Sequence, residues 1–151
     1  MEVEKLVLQL RAEIAGIAAK GGDAWAQRVP RARLAWAQDM LARSRSAGGA
    51  AGQPFQVQVL RVGPVALLGL EGEIFVRYQL ELEAASPLQP TILCGYANGC
   101  IGYVPTADEY ARGGYEVTEA YKVYPGVQMI GPASEELIRE RAGALLTRLA
   151  D

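Results

Sequence analysis

The chain of 151 residues contains no histidine. A serine or cysteine nucleophile therefore has no imidazole to activate it, which excludes the catalytic triads of the common hydrolases. No glycine-rich loop is followed by Lys-Ser or Lys-Thr, which excludes a P-loop.

Cysteine is also scarce, and the two that occur, Cys94 and Cys100, are too few for a disulfide framework or a structural zinc site built on thiolates. Cys94 ends an apolar run and is predicted to be a small core residue. No apolar run is long enough to span a membrane, and the charged residues 1–5 are not a signal peptide. We therefore expect a cytoplasmic protein without a transmembrane segment.

The chain also lacks a large excess of either sign of charge, with 15 Lys and Arg against 17 Asp and Glu. The formal net charge is −2, whereas a nucleic-acid surface needs clustered lysine and arginine, so no nucleic-acid partner is expected. Half of the residues are hydrophobic, which is typical of a globular chain with a sizeable core. The length suits a single domain.

The helices are predicted from apolar spacing and end signals. An amphipathic helix is predicted near the start, followed by a helix from Pro30 to about Arg45 and a last helix over 133–150. The small residues of 47–52 predict a loop. The apolar residues of the first helix recur at three- and four-residue steps, at Val3, Leu6, Leu10, Ile14 and Ile17.

Strand patterns lie between these helices. Alternation over 55–61 predicts a half-exposed strand. The apolar runs at 65–70 and 91–95 predict strands that are buried on both faces, with a helix from about Glu73 to Ala85 between them. A strand, a helix and a strand in this order predict a right-handed parallel crossover.

These elements predict a single α/β domain over 1–151, with N-terminal helices at 1–46, a sheet-containing core at 54–125 and a C-terminal helix at 133–150. The expected fold is a small mixed or parallel sheet with helices packed on it, as part of a larger hydrolase-like fold.

The first motif of interest is Gly-Leu-Glu-Gly-Glu at 69–73, at the end of an expected strand. Ligands of open α/β sheets bind at the carboxyl ends of strands. Glu73 would begin a helix there, and the helix dipole would favour an ionised carboxylate that can bind zinc or another divalent ion. A glutamate in a first helical turn is, however, common without any function.

The second motif spans 95–106 and contains Tyr96, Asn98 and Tyr103 between glycines. Asparagine and glycine tolerate left-handed backbone, which predicts a tight loop. A tyrosine in such a loop can donate to an oxyanion or, deprotonated beside a cation, bind a metal. The alternative is a tyrosine with a buried ring and a hydroxyl at the surface.

The two motifs, with the Tyr-Glu pair at 115–116, resemble the neutral/alkaline (non-lysosomal) ceramidase family and its bacterial relatives. The resemblance covers roughly residues 30–125. It is strongest in Leu-Glu-Gly-Glu at 70–73, in Gly-Tyr-Ala-Asn at 95–98, in Gly-Tyr-Val-Pro-Thr at 102–106 and in Glu-Tyr at 109–110.

The resemblance implies a zinc amidase that hydrolyses the N-acyl bond of ceramide with metal-activated water. Members of the family hold zinc with two histidines, a glutamate and a tyrosine. Glu73 and Tyr103 match the last two, and Glu71 stands where the family has a proline. Tyr96 and Asn98 are candidate substrate-binding residues, and no catalytic residue is assigned.

Both histidine ligands of the family lie upstream, in a half that these 151 residues do not contain. Because catalytic zinc sites use three protein ligands, no bound cofactor is expected for this chain alone. The first hypothesis is therefore the C-terminal segment of a ceramidase-like zinc-dependent amide hydrolase. Such a truncated domain would be inactive unless a complementary N-terminal half supplied the histidines.

Two alternatives stay open. One is a non-catalytic binding module that hides apolar surface by homo-oligomerising, with the first helix as a candidate interface. The other is an unrelated α/β domain whose small-molecule pocket is lined by Tyr96, Asn98 and Tyr103 but not by Glu73. Convergence of Glu73 and Tyr103 within about 5 Å would favour the hydrolase hypothesis, since ligands of one zinc ion lie that close.

Overall fold

The structure is a computed structural model that describes residues 2–45, 52–124 and 126–151. It is an α/β protein, as predicted. The predicted loop at 47–52 lies outside the described residues except for Gly52. Within the described residues the elements are α1 (Glu2–Ala19), α2 (Arg28–Arg45), β1 (Val57–Val62), β2 (Val65–Leu70), β3 (Glu73–Ile74), α3 (Val76–Ala85), β4 (Thr91–Cys94), β5 (Tyr103–Val104), α4 (Glu109–Arg112), α5 (Tyr115–Thr118) and α6 (Ser134–Ala150).

The chain divides into two compact units. The helical unit comprises residues 1–53 and 119–128, and the sheet unit comprises residues 54–118 and 129–151. The prediction of a single domain over 1–151 stays a prediction.

The helical unit is built on the packing of α1 against α2. Its core consists of Val7 and Leu10 from α1 and Trp36 and Ala37 from α2, and the Trp36 indole donates a hydrogen bond to the Val127 carbonyl at 2.9 Å. The apolar face of α1, a candidate interface in the sequence, thus packs within this unit. None of the described helices is long and apolar enough to cross a membrane.

The main sheet of the sheet unit has the strand order β1-β2-β4. Strands β1 and β2 are antiparallel and turn tightly between the paired residues Val62 and Val65. Strands β2 and β4 are parallel, with Ala66 opposite Thr91, and α3 lies between them in the chain. The parallel pairing of the predicted crossover is therefore confirmed.

One face of this sheet forms the core. Leu68 of β2, Tyr78 of α3 and Ala142 of α6 are fully buried there, together with further members of the same cluster, Leu70, Leu82, Ile101, Val104 and Ile138. Burial of large apolar side chains is the dominant favourable term in folding. The core therefore fixes β2, α3 and α6 together, and the predicted last helix is confirmed as α6.

The opposite face of the sheet is apolar and open. Leu60, Leu67 and Ile92 lie side by side across the three strands, and 52% of Leu60 and 47% of Ile92 are exposed. The prediction that β2 and β4 are buried on both faces is wrong, because α3 and α6 pack on the other face. Cys94 of β4 is exposed as well, so its prediction as a core residue is also wrong.

A side chain closes the outer edge of β4. The Gln79 amide donates to the Thr91 carbonyl at 3.0 Å and accepts a hydrogen bond from the Leu93 N–H at 2.6 Å. These are the backbone groups that a further strand would pair with. One glutamine of α3 thus takes the place of a neighbouring strand.

Helix α3 begins at Val76, three residues later than predicted, and Glu73 lies in β3 instead. Strand β3 runs parallel to β5, with Glu73 opposite Tyr103. The Glu73 N–H donates a hydrogen bond to the Gly102 carbonyl at 2.8 Å. Strand pairing with this distant segment therefore overrides the local helix preference. The predicted helix-dipole effect on Glu73 is therefore wrong.

Candidate functional site

The two sequence motifs are tied together through their backbones. The Glu73 N–H bonds to the Gly102 carbonyl, and the Tyr96 N–H bonds to the Gly72 carbonyl at 2.9 Å. Gly72 has a φ of +117°, and a Cβ at this position would lie 2.7 Å from the Gly102 oxygen. A glycine is therefore required where the two loops approach each other.

Strand alternation decides which side chains reach the site. Successive residues of a strand point to opposite faces. Val104 of β5 is fully buried in the core, whereas its neighbour Tyr103 is half-buried and lies beside Glu73, which is half-buried too. The core thus anchors β5 and presents Tyr103 to the carboxylate.

Hydrogen bonding with the Glu73 carboxylate, followed by partial burial and the negative charge of Glu73, raises the pKa of the Tyr96 and Tyr103 phenols above their ordinary value. An unperturbed tyrosine has a pKa of about 10, so both hydroxyls keep their protons at neutral pH. In this state both phenols are able to donate a hydrogen bond.

Glu73, Tyr96 and Tyr103 line a cleft of about 460 Å³. Ligand sites for small molecules typically have volumes of roughly 300–1,000 Å³. The remaining described residues of the lining are Ile74, Phe75, Val76, Leu93 and Gly95. The cleft therefore combines an apolar wall with one carboxylate and two phenols.

Aromatic rings cluster at the same place. The Phe75 and Tyr103 rings lie with centroids 6.3 Å apart at an interplanar angle of 90°. The Tyr103 and Tyr115 rings lie 6.5 Å apart at 77°. Both pairs have the edge-to-face arrangement that aromatic side chains prefer.

Asn98, a predicted substrate-binding residue, does not join this cluster. Its backbone is left-handed, with a φ of 66°, which agrees with the predicted tight loop. Its exposed side chain donates to the Gln58 side chain at 3.0 Å. Glu71 also faces elsewhere, since its carboxylate accepts the Gln56 N–H at 3.1 Å. The structure thus brings together Glu73, Tyr96 and Tyr103 but not Asn98.

The sequence reasoning missed Phe75, Leu93 and Tyr115 as neighbours of the site. Phe75 was expected inside a helix, and Leu93 inside a fully buried strand. Tyr115 is 58% exposed, and its ring contacts Tyr103. The only signal for Tyr115 was its place in the resemblance.

The donor set does not fit a zinc ion by itself. Catalytic zinc sites use three protein ligands, and the described residues contain no cluster of three or more His, Cys, Asp or Glu side chains that could hold a metal. The two phenols would have to lose their protons before binding a cation. Glu73 and Tyr103 are therefore at most part of a metal site.

Comparison with known proteins gives one solved structure. No family profile and no curated protein matches the chain. The chain is similar to neutral ceramidase from Pseudomonas aeruginosa, with 30% sequence identity and a TM-score of 0.45 over 61% of this chain and 15% of that chain. This TM-score is too low to define a shared fold, and the site geometry above does not depend on the match.

Proposed function

We propose that this chain supplies the carboxylate–tyrosine part of a ceramidase-like zinc-dependent amide hydrolase site and is inactive alone. The observation that carries the proposal is the meeting of Glu73, Tyr96 and Tyr103 in one cleft. The motifs that bring these residues together are the ones that resemble the neutral/alkaline ceramidase family.

Glu73 and Tyr103 are the proposed metal ligands, and Tyr96 is a proposed substrate contact. The imidazole ligands have to come from a complementary chain or segment, because the 151 residues contain no histidine. Asn98 stays a predicted substrate-binding residue whose side chain faces Gln58.

Metal binding in the presence of free imidazole tests this proposal. Cobalt(II) replaces zinc because its visible absorption reports coordination, and imidazole stands in for the missing histidines. We expect weak binding by the chain alone and binding stronger by about tenfold with imidazole, a gain of about 1.4 kcal/mol. Glu73→Gln should lose this gain, whereas Glu140→Gln, at an exposed position of α6, should keep it.

Equal cobalt affinity of the native chain and Glu73→Gln in imidazole would contradict the proposed metal role. Hydrolysis of an N-acyl amide by the purified chain without added imidazole would contradict the proposed inactivity. The first result tests the metal role of Glu73, and the second tests the inactivity of the chain alone.

The open apolar face of the main sheet favours a second candidate function, a non-catalytic oligomerising or binding module. Exposed apolar patches often mark interaction sites, and Leu60, Leu67 and Ile92 form one row here. We expect self-association in sedimentation equilibrium that Ile92→Glu reduces, with Glu140→Gln as control. A monomer of 16.2 kDa at every concentration tested would exclude homo-oligomerisation.

A further inference from the structure

The cleft beside β3 has a feature that the hydrolase proposal does not use, a group of aromatic rings around the Glu73 carboxylate. Phe75, Tyr96 and Tyr103 line the cleft, and Tyr115 contacts Tyr103 from the side. Aromatic faces carry partial negative charge and attract cations.

The ring geometry suits a small cation. Phe75 and Tyr103 stand at 90° with centroids 6.3 Å apart. A cation that lies over a ring face within about 6 Å of the ring centroid is attracted to that ring. Tyr115, at 77° to Tyr103, extends the aromatic surface.

The Glu73 carboxylate gives the cleft a negative charge. Among the described lining residues, Glu73 is the one with a formal charge at neutral pH. Its backbone is paired with that of Tyr103 in the parallel strands β3 and β5, which places Glu73 next to that ring. An anionic ligand would be repelled, and a metal ion would find too few ligands.

We propose that this cleft binds a small alkylated ammonium ion, which Glu73 attracts and which packs against the aromatic lining formed by Phe75, Tyr96 and Tyr103. Aromatic residues with a nearby carboxylate suit such an ion, because its charge is spread over methyl groups that pack on ring faces. The volume of about 460 Å³ leaves room for a substituent beyond the ammonium head. The proposal concerns the same cleft as the hydrolase proposal but needs neither zinc nor histidine.

The test compares choline with its neutral carbon isostere, 3,3-dimethylbutan-1-ol. The two have similar shape and differ in charge. The chain, with labelled aromatic side chains, is titrated with each in buffer that contains EDTA, and tyrosine and phenylalanine NMR signals are followed. We expect choline to shift the signals of the cleft residues and to bind about tenfold more tightly than the isostere, as cation–π and charge contributions suggest.

Variants separate the charge from the rings. Glu73→Gln should weaken choline binding by about tenfold and leave the isostere unchanged, since it removes the charge alone. Tyr96→Phe keeps the ring and should retain most of the binding, whereas Tyr96→Leu should lose it. Glu140→Gln, on the exposed surface of α6, is the matched control and should behave as the native chain.

Equal affinity for choline and the isostere would overturn the proposal, as would choline binding that Glu73→Gln leaves unchanged. The outcome is separable from that of the metal test. Choline binding in EDTA without imidazole-dependent cobalt binding would support this inference and contradict the hydrolase proposal. Imidazole-dependent cobalt binding without choline binding would support the hydrolase proposal and contradict this inference.

Discussion

The three-stranded sheet β1-β2-β4 and the two-stranded pair β3-β5 are held together in different ways. In the first, Leu68 and Leu70 of β2 are fully buried under α3 and α6. In the second, each strand has two residues, of which Val104 is buried in the core, and the approach of the strands depends on Gly72 and on backbone hydrogen bonds. The larger sheet therefore carries stability, while the smaller pair sets the position of Glu73 and Tyr103.

The largest expected effect comes from Leu68→Ala in the larger sheet. Removal of a fully buried leucine should lower the free energy of unfolding by about 2–5 kcal/mol. The neighbouring Leu67→Ala, on the open face, should cost about 1 kcal/mol or less. Urea denaturation measures both. Equal losses would contradict the assignment of the two faces.

The next effect comes from Gly72→Ala in the smaller pair. A Cβ here meets the Gly102 oxygen at 2.7 Å, and the residue is held at a φ of +117°, so we expect a loss of about 1–3 kcal/mol from backbone strain. The pKa values of Tyr96 and Tyr103 should fall as Glu73 moves away.

Gly63→Ala is the matched control for this substitution. Gly63 also has a positive φ, of +60°, but nothing lies within 4 Å of its Cβ position. It should lose stability from strain alone and leave both tyrosine pKa values unchanged in a spectrophotometric titration. A fall of those pKa values in the control would contradict the role of the Gly72–Gly102 contact.

Tyr110 is a tyrosine whose pKa is raised mainly by burial, in contrast to Tyr96 and Tyr103 beside Glu73. Its hydroxyl donates to the Ile130 carbonyl at 2.6 Å, and burial, with the nearby Glu135 charge, raises its pKa to about 12. Because the folded value lies above the unfolded value of about 10, this contribution to stability is complete below about pH 10 and is lost as pH rises to 12.

Tyr110→Phe should therefore cost about 1 kcal/mol at neutral pH through the lost hydrogen bond. The difference between the native chain and the variant should shrink between pH 10 and 12, where the native chain loses the contribution of Tyr110. Urea denaturation at a series of pH values measures this difference in the free energy of unfolding. A difference that stays constant over this range would show that the phenol titrates alike in both states.

Glu73→Gln should have the smallest effect on stability, within about 0.5 kcal/mol, because the residue is half-exposed and outside the core. It should instead lower the pKa of Tyr96 and Tyr103 towards about 10, since it removes the carboxylate whose hydrogen bonding and negative charge disfavour the phenolates. NMR titration reads each tyrosine, and Tyr110 serves as the internal reference that stays high.

Much of the larger sheet could be predicted from the sequence. The apolar runs of β2 and β4 and the helix between them were enough for the parallel pairing. The same runs could not show that helices cover one face only, because continuous apolar residues are expected of a strand with either one or two covered faces. The exposure of Ile92 and Cys94 therefore needed the structure.

The site could be predicted in part. The motifs marked Glu73, Tyr96 and Tyr103, which the structure brings together. The backbone of Glu73 was misassigned to a helix because its strand partner lies 30 positions further along the chain, at Tyr103. The rings of Phe75 and Tyr115 contact Tyr103 only in the folded chain. Such contacts between residues that are apart in the sequence could not be predicted from local patterns.

Gln79 has a consequence for how molecules of this protein can aggregate. Its side chain occupies the Thr91 carbonyl and the Leu93 N–H at the outer edge of β4, so a strand from another molecule can add there only by displacing it. Ile92, on the same strand, leaves 47% of its surface open. Misassembly at β4 is therefore directed towards face-to-face stacking of sheets rather than towards edge-to-edge growth into a fibril.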